Sequence, residues 1–138
     1  MGDKVKILIA EQSKIFRETL KLFLVGKSKY KVVGESANCK AISMLLEKEL
    51  PDIAILNLEM LYGTCSDFIL KLKRKYHNKI KFIVLTRFDE IEYEKMMINA
   101  GADGYIKEID VYYQLENAIK QVLNGELFYS DNTIGFKK

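Results

Sequence analysis

The sequence predicts an α/β protein: a three-layer αβα sandwich on a doubly wound, five-stranded parallel sheet of order 2-1-3-4-5. Three observations predict it. The hydrophobic period switches repeatedly between short apolar runs and stripes at helical spacing, giving five run-and-stripe pairs. The runs are apolar on both faces, as parallel strands buried between two helical layers require. The stretches between them suit right-handed helical crossovers, which cover both faces of one sheet.

Val5–Ala10 is the first apolar run, with β-branched members, and Phe16, Leu20, Phe23 and Leu24 follow at helical spacing. Val32–Val33 marks a weaker second strand closed by Gly34. Asn38 is placed to cap a helix carrying Ala41, Ile42, Leu45 and Leu46, which Pro51 stops. Ile53–Leu58 is the third strand. Thr64 and Asp67 have capping-box spacing ahead of Phe68, Ile69, Leu72 and Tyr76. Ile80–Leu85 is the fourth strand. Asp89, with Glu92 three positions on, is placed to cap a helix bearing Tyr93, Met96 and Met97 that ends at Gly101. Tyr105–Ile106 is the fifth strand, and Asp110 opens a last helix with Leu115, Ala118, Ile119, Val122 and Leu123. Residues 1–125 therefore read as one domain. Residues 126–138 break the pattern and read as a tail or the start of a linker to a further domain.

Composition narrows the function. With 138 residues, 49% hydrophobic and 30% charged, the chain can bury a core without disulfides or a structural metal. No apolar run approaches the ~20 residues of a membrane span, and the N-terminus lacks the pattern of a signal peptide. Cys39 and Cys65 are isolated, which suggests packed, reduced thiols in a cytoplasmic protein. A net charge of +3 does not by itself imply nucleic-acid binding. The basic stretch Lys71, Lys73, Arg74, Lys75, Lys79 and Lys81 reads as the solvated face and end of a helix.

In a doubly wound sheet, ligands bind at the carboxyl ends of the strands beside the switch point, here between strands 1 and 3. The residues there are Glu11–Gln12, Asn57–Glu59, Thr86–Arg87 and Lys107–Glu108. No glycine-rich phosphate loop follows any strand. There is no Ser-His-Asp set and no paired-His metal signature, and the single histidine, His77, falls on the third helix away from this site.

The phrases ILIAEQSKIFRETL, VVGESAN, PDIAILNLEM, FIVLT and AGADGYIKE, in this order and spacing, resemble the receiver domains of bacterial two-component response regulators with a LuxR-type helix-turn-helix output. The resemblance runs from about Lys4 to Ser130 and implies the flavodoxin-like receiver fold. In that family an acidic pair after strand 1 helps hold Mg²⁺, and an Asp ending strand 3 takes a phosphoryl group from a histidine kinase. A Thr or Ser after strand 4 and a Lys after strand 5 grip the phosphoryl oxygens.

This chain keeps only part of that set. The acidic pair is Glu11 and Gln12, the phosphoacceptor position is Asn57, and the Thr is kept as Thr86. The Lys position falls on Glu108, with Lys107 one residue early, so Lys107 can serve only if the strand end bulges. A carboxamide cannot form a stable acyl phosphate. Losing two carboxylates also weakens any Mg²⁺ site, since each charge contributes roughly 4 kcal/mol at 4 Å and moderate dielectric; Glu59 is the one residue placed to compensate. Glu108 reads either as an exposed loop acid or as an acceptor for Asn57 and Thr86. Tyr105 holds the aromatic switch position, read either as a two-state reporter or as a half-buried ring on the last helix.

The leading expectation is a pseudo-receiver: no enzyme, no cofactor, Mg²⁺ binding weak or absent. It regulates by contact, as a homodimer through the face of the fourth helix, fifth strand and fifth helix, which carries Met96, Met97, Tyr105, Tyr112 and Tyr113. A histidine kinase is an additional candidate partner, and DNA is reached only through a domain outside this chain. Two alternatives are a conventional phosphorelay receiver using Glu59 or Ser66, and a small-molecule sensor with a repurposed switch-point pocket.

Overall fold

Each strand that the short apolar runs predict joins a single sheet. The computed structural model describes residues 3–61 and 65–129. The strands are β1 Val5–Ala10, β2 Tyr30–Ser36, β3 Ile53–Asn57, β4 Lys81–Thr86 and β5 Gly104–Lys107. All pairs are parallel, in the order β2-β1-β3-β4-β5. The helices are α1 Lys14–Val25, α2 Cys39–Glu49, α3 Cys65–Tyr76, α4 Ile91–Ala100 and α5 Val111–Leu123. A single helical turn, Leu58–Leu61, follows β3, and a 3₁₀ turn, Glu108–Asp110, follows β5.

Alternation along the strands divides the apolar residues between two cores. Leu8, Ala54, Leu56, Phe82, Val84 and Tyr105 pack with Ile42, Leu46, Ile69, Leu72 and Met97 of α2, α3 and α4. Ile7, Ile9, Ile53, Ile55, Ile83, Leu85 and Ile106 pack with Leu20, Leu24, Leu115 and Ile119 of α1 and α5. The central strand β3 is buried along its whole length.

Local chemistry sets several boundaries. Ser13 caps α1 by accepting from the Phe16 N–H at 3.2 Å, and Asn38 caps α2 by accepting from Ala41 at 3.1 Å. Gly101 ends α4 with φ at 100°, the left-handed geometry a C-terminal glycine permits. Asp89 does not cap α4 as its spacing suggests: the cap position is Glu90, which makes no side-chain cap bond, and the Asp89 carboxylate pairs with Lys107 instead. β2 is longer than the sequence signal, because Gly34 lies inside it and the β1–β2 register slips between Ile7 and Leu8. Thr64 lies outside the described residues, as do the side chains of Cys39, Cys65 and Ser66.

The folded body extends past residue 125. Phe128 bridges Gly104 in parallel, its N–H donates to the Asp103 carbonyl and its carbonyl accepts from the Tyr105 N–H, both at 2.9 Å. Tyr129 is buried and donates its hydroxyl to the Ala102 carbonyl. The segment that reads as a tail thus begins as an added edge strand, because the backbone of so short a β5 needs partners on its open side.

Ile55→Ala removes a fully buried side chain from β3. It lowers the unfolding free energy by about 2–5 kcal/mol, read from the midpoint of urea denaturation at unchanged slope.

Candidate functional site

The strand ends deliver Glu11, Asn57 and Glu108 to one point because β1, β3, β4 and β5 are adjacent and parallel, with all carboxyl ends on one edge. Asn57 is the last residue of β3 and is buried. Its Nδ2 donates to Glu11 Oε1 at 2.6 Å and to Glu108 Oε2 at 2.9 Å. Both amide hydrogens are therefore used, each on a carboxylate. Its Oδ1 accepts from the Glu59 backbone N–H at 2.8 Å. That set fixes the amide orientation, since the flipped amide would set an oxygen against two carboxylates.

Glu11 is held as firmly. Its Oε2 accepts from the Ser13 N–H at 2.7 Å, and its own carbonyl accepts from Arg17 Nη1 at 2.7 Å. Arg17 is in turn paired with Glu35 at 3.2 Å. Glu59 closes the front of the site through Arg87, Nε to Oε2 at 2.5 Å. Glu11, Asn57, Glu59, Arg87 and Glu108, with Ser13, Phe16 and the exposed Gln12, line a cleft of about 180 Å³.

Lys107 stays out of the site. β5 keeps register through the Thr86–Lys107 pair without a bulge, so the side chain points away and its Nζ lies 2.7 Å from Asp89. The condition under which it could serve is not met. Glu108 is the residue that reaches Asn57, so it is not an exposed loop acid. It takes no bond from Thr86, whose Oγ1 instead accepts from the Phe88 N–H at 2.9 Å. Tyr105 is 2% exposed and sits with Met97, Ala102 and Tyr129 on the α3–α4 side of the sheet. It is therefore neither half-buried nor packed on the last helix. Of the face around α4, β5 and α5, Met97 is buried, and Tyr112 packs edge-on against Phe23 of α1 at 5.1 Å. Met96 is partly open, while Ile109 and Tyr113 are 84% and 87% exposed. His77 is exposed at the end of α3, as expected. Lys73 leaves the solvated basic run to pair with Asp103 at 3.0 Å.

Sequence reasoning missed Arg87 as the counter-ion of the site. Its position beside Thr86, facing three glutamates brought in from other strands, is the only signal, and it depends on knowing the strand order. The donor set does not suit a hard divalent cation, which needs several free carboxylate or carbonyl oxygens. Both Glu11 oxygens already accept bonds, Glu59 is tied to Arg87, and Asn57 presents N–H groups to the centre. Among the described residues, no group of three or more His, Cys, Asp or Glu side chains is arranged to hold a metal ion.

Burial is the largest cause lifting the Glu108 carboxyl above its ordinary range. The Asn57 hydrogen bond opposes the rise, the charges of Glu59 and Glu11 add to it, and Arg87 opposes it.

A parallel sheet of this order, with its polar site at the switch point, is the flavodoxin-like doubly wound architecture. The model of the response regulator receiver domain family matches residues 7–120, and the chain belongs to that family. It is similar to the transcriptional regulatory protein DesR of Bacillus subtilis (29% identical over 126 residues, 91% of this chain and 62% of that protein). It is also similar to the nitrate/nitrite response regulator homolog of Haemophilus influenzae (30% identical, 96% of this chain and 63% of that protein). The chain thus spans less than two-thirds of these relatives. Among solved structures, the isolated receiver domain of RcsB from Salmonella enterica superposes with a TM-score of 0.86 at 20% identity, covering 97% of this chain and 98% of that one. A LuxR-family response regulator from Aurantimonas gives 0.84 at 20% identity, over 94% and 92% of the two chains. These superpositions show the shared fold.

Two outcomes follow from the geometry. Asn57→Asp sets a third carboxylate within hydrogen-bond distance of Glu11 and Glu108 and removes the only amide donor between them. It destabilises the protein by about 2–4 kcal/mol at neutral pH, and Asn57→Asp/Glu108→Lys recovers most of that loss in a double-mutant cycle. The second outcome concerns pH. Glu108 has its folded pKa raised above the unfolded one, so the native state binds more protons in that window and stability falls as pH rises through it. In Glu108→Gln that slope is lost, so the difference in Tm between variant and wild type changes as pH rises above the ordinary glutamate pKa. Glu35 and Glu116, whose carboxyls are lowered by their lysine partners, act below that window and leave the difference unchanged.

Proposed function

We propose that this chain is a receiver that regulates by contact, independently of aspartyl phosphorylation. The observation that carries the reading is the donation of both Asn57 amide hydrogens to Glu11 and Glu108. It supplies, without phosphate or metal, the connection between β1, β3 and the end of β5. The electrostatics are inverted relative to an ordinary receiver. The acceptor carboxylate is replaced by a donor amide, and the lysine ammonium by an acceptor carboxylate. Magnesium binding is weak or absent, and the domain performs no chemistry of its own, a reading supported by the hydrogen bonds that already occupy Glu11 and Asn57 at the site.

Glu59 is a poor substitute acceptor, because Arg87 engages it and Glu11 and Glu108 surround it with like charge. The cleft around Asn57 is only about 180 Å³, but a neighbouring cleft of about 580 Å³ lined by Phe16, Thr86, Arg87, Lys107 and Glu108 falls within the roughly 300–1,000 Å³ of small-molecule sites, which keeps a small-molecule sensor as the second reading. In the leading reading the partners are macromolecular. Homodimerisation through α4, β5 and α5 is supported by the exposed Ile109 and Tyr113 and the partly open Met96. A histidine kinase engages the domain, if at all, by docking rather than phosphotransfer. Control of transcription through a DNA-binding domain outside this chain is supported by relatives named as transcriptional regulatory proteins and by a solved complex of RcsB with DNA. A cytoplasmic location is part of this reading and is supported by membership of the response regulator receiver family. No helix among the described residues is long and apolar enough to cross a membrane.

Intact mass after incubation with acetyl phosphate and Mg²⁺ tests the reading. The wild type gains no phosphoryl group, whereas Asn57→Asp/Glu108→Lys does. A phosphorylated wild type overturns it, and mapping the modified residue identifies the substitute acceptor.

A further inference from the structure

β5 has only four residues, Gly104–Lys107, and it is tied at both ends. At its carboxyl end, Glu108 accepts the Asn57 amide at 2.9 Å. At its amino end, the segment Leu127–Tyr129 lies along its open side. The Tyr105 N–H donates to the Phe128 carbonyl, the Phe128 N–H donates to the Asp103 carbonyl, and the Tyr129 hydroxyl donates to the Ala102 carbonyl. Gln121 of α5 holds the approach by donating to the Leu127 carbonyl at 3.0 Å, after a turn at Gly125 with φ at 85°.

Side chains reinforce these bonds from both faces of the sheet. Phe128 packs against the core under α1 and α5, while the adjacent Tyr129 enters the opposite core with Tyr105. The strap is thus plugged into both layers beside the strand that ends at the site. A strand of four residues spans only about 13 Å, so Glu108 lies a short way along the chain from Tyr105 and Gly104, where the strap is bonded.

We propose that residues Leu127–Tyr129 are the readout strap of this domain. The strap's hold on β5 and the Asn57–Glu108 bond at the other end stabilise each other, so a partner that disturbs one loosens the other. The state of the site is thereby linked to the segment Leu127–Tyr129 at the far end of β5. The coupling goes beyond the reading above and holds whether or not any side chain accepts phosphate. Its failure is therefore distinct from failure of the mass measurement.

Amide hydrogen exchange followed by NMR on the full 138-residue chain tests it, with the Tyr105 and Phe128 amides as reporters. The control is the Val5 amide, which bonds to Lys29 at the opposite end of the sheet. In Glu108→Ala, Tyr105 and Phe128 exchange roughly fivefold faster, the factor set by loss of one hydrogen bond, while Val5 is unchanged. Glu108→Gln keeps an acceptor for Asn57, preserves folding and shifts the reporters less. In the reverse direction, Tyr129→Phe speeds exchange of the Asn57 side-chain amide. Unchanged reporters in Glu108→Ala, or reporters and Val5 accelerating together in both Glu108 variants, overturn the coupling.

Discussion

One carboxamide placed between two carboxylates organises the working edge of this domain. Asn57 ends the fully buried central strand, so its position is fixed by the core beneath it. From there its two N–H groups reach Glu11 at the end of β1 and Glu108 just past the end of β5. Hydrogen bonds to ionised acceptors are shorter and stronger than neutral ones, and here they join elements far apart in sequence. Removing the amide would leave two buried or half-buried carboxylates facing each other, so the cost lies less in the lost bonds than in the uncompensated charge.

The surrounding groups follow from that demand. Three glutamates converge where only one neutral amide sits, and Arg87 supplies the positive charge by pairing with Glu59. Arg17 fixes the backbone of Glu11 and, with Lys21, neutralises Glu35 nearby. Lys107 is excluded by the alternation of β5 and forms its own pair with Asp89, which draws that carboxylate away from the start of α4. The amide at the end of β3 is thus matched by a consistent set of partners brought in from other segments.

Much of the architecture is visible in the linear sequence because local rules act along the chain. The unbroken apolar runs ILIA, IAIL and FIVL assign the strands, helical stripes such as Leu115, Ala118, Ile119 and Val122 assign the helices, and Ser13, Asn38 and Gly101 sit where caps are needed. The failures are also local rules, overridden by distant partners. Asp89 has the spacing of a cap but meets Lys107. Residues 126–129 have no strand signal of their own but find the open side of β5. Tyr105 has no feature that tells which core it enters.

The sequence by itself determined the αβα sandwich, the family and the inability of residue 57 to form an acyl phosphate, because these rest on periodicity, motif order and the identity of a functional group. Only the tertiary structure decided that Glu108 rather than Lys107 faces Asn57, that Arg87 balances the charge, and that Phe128 and Tyr129 fold back on the sheet. Each of those depends on strand register and on side chains brought together from separate elements. Pattern along a chain specifies which face a residue takes, but not which charge or backbone group will stand opposite it.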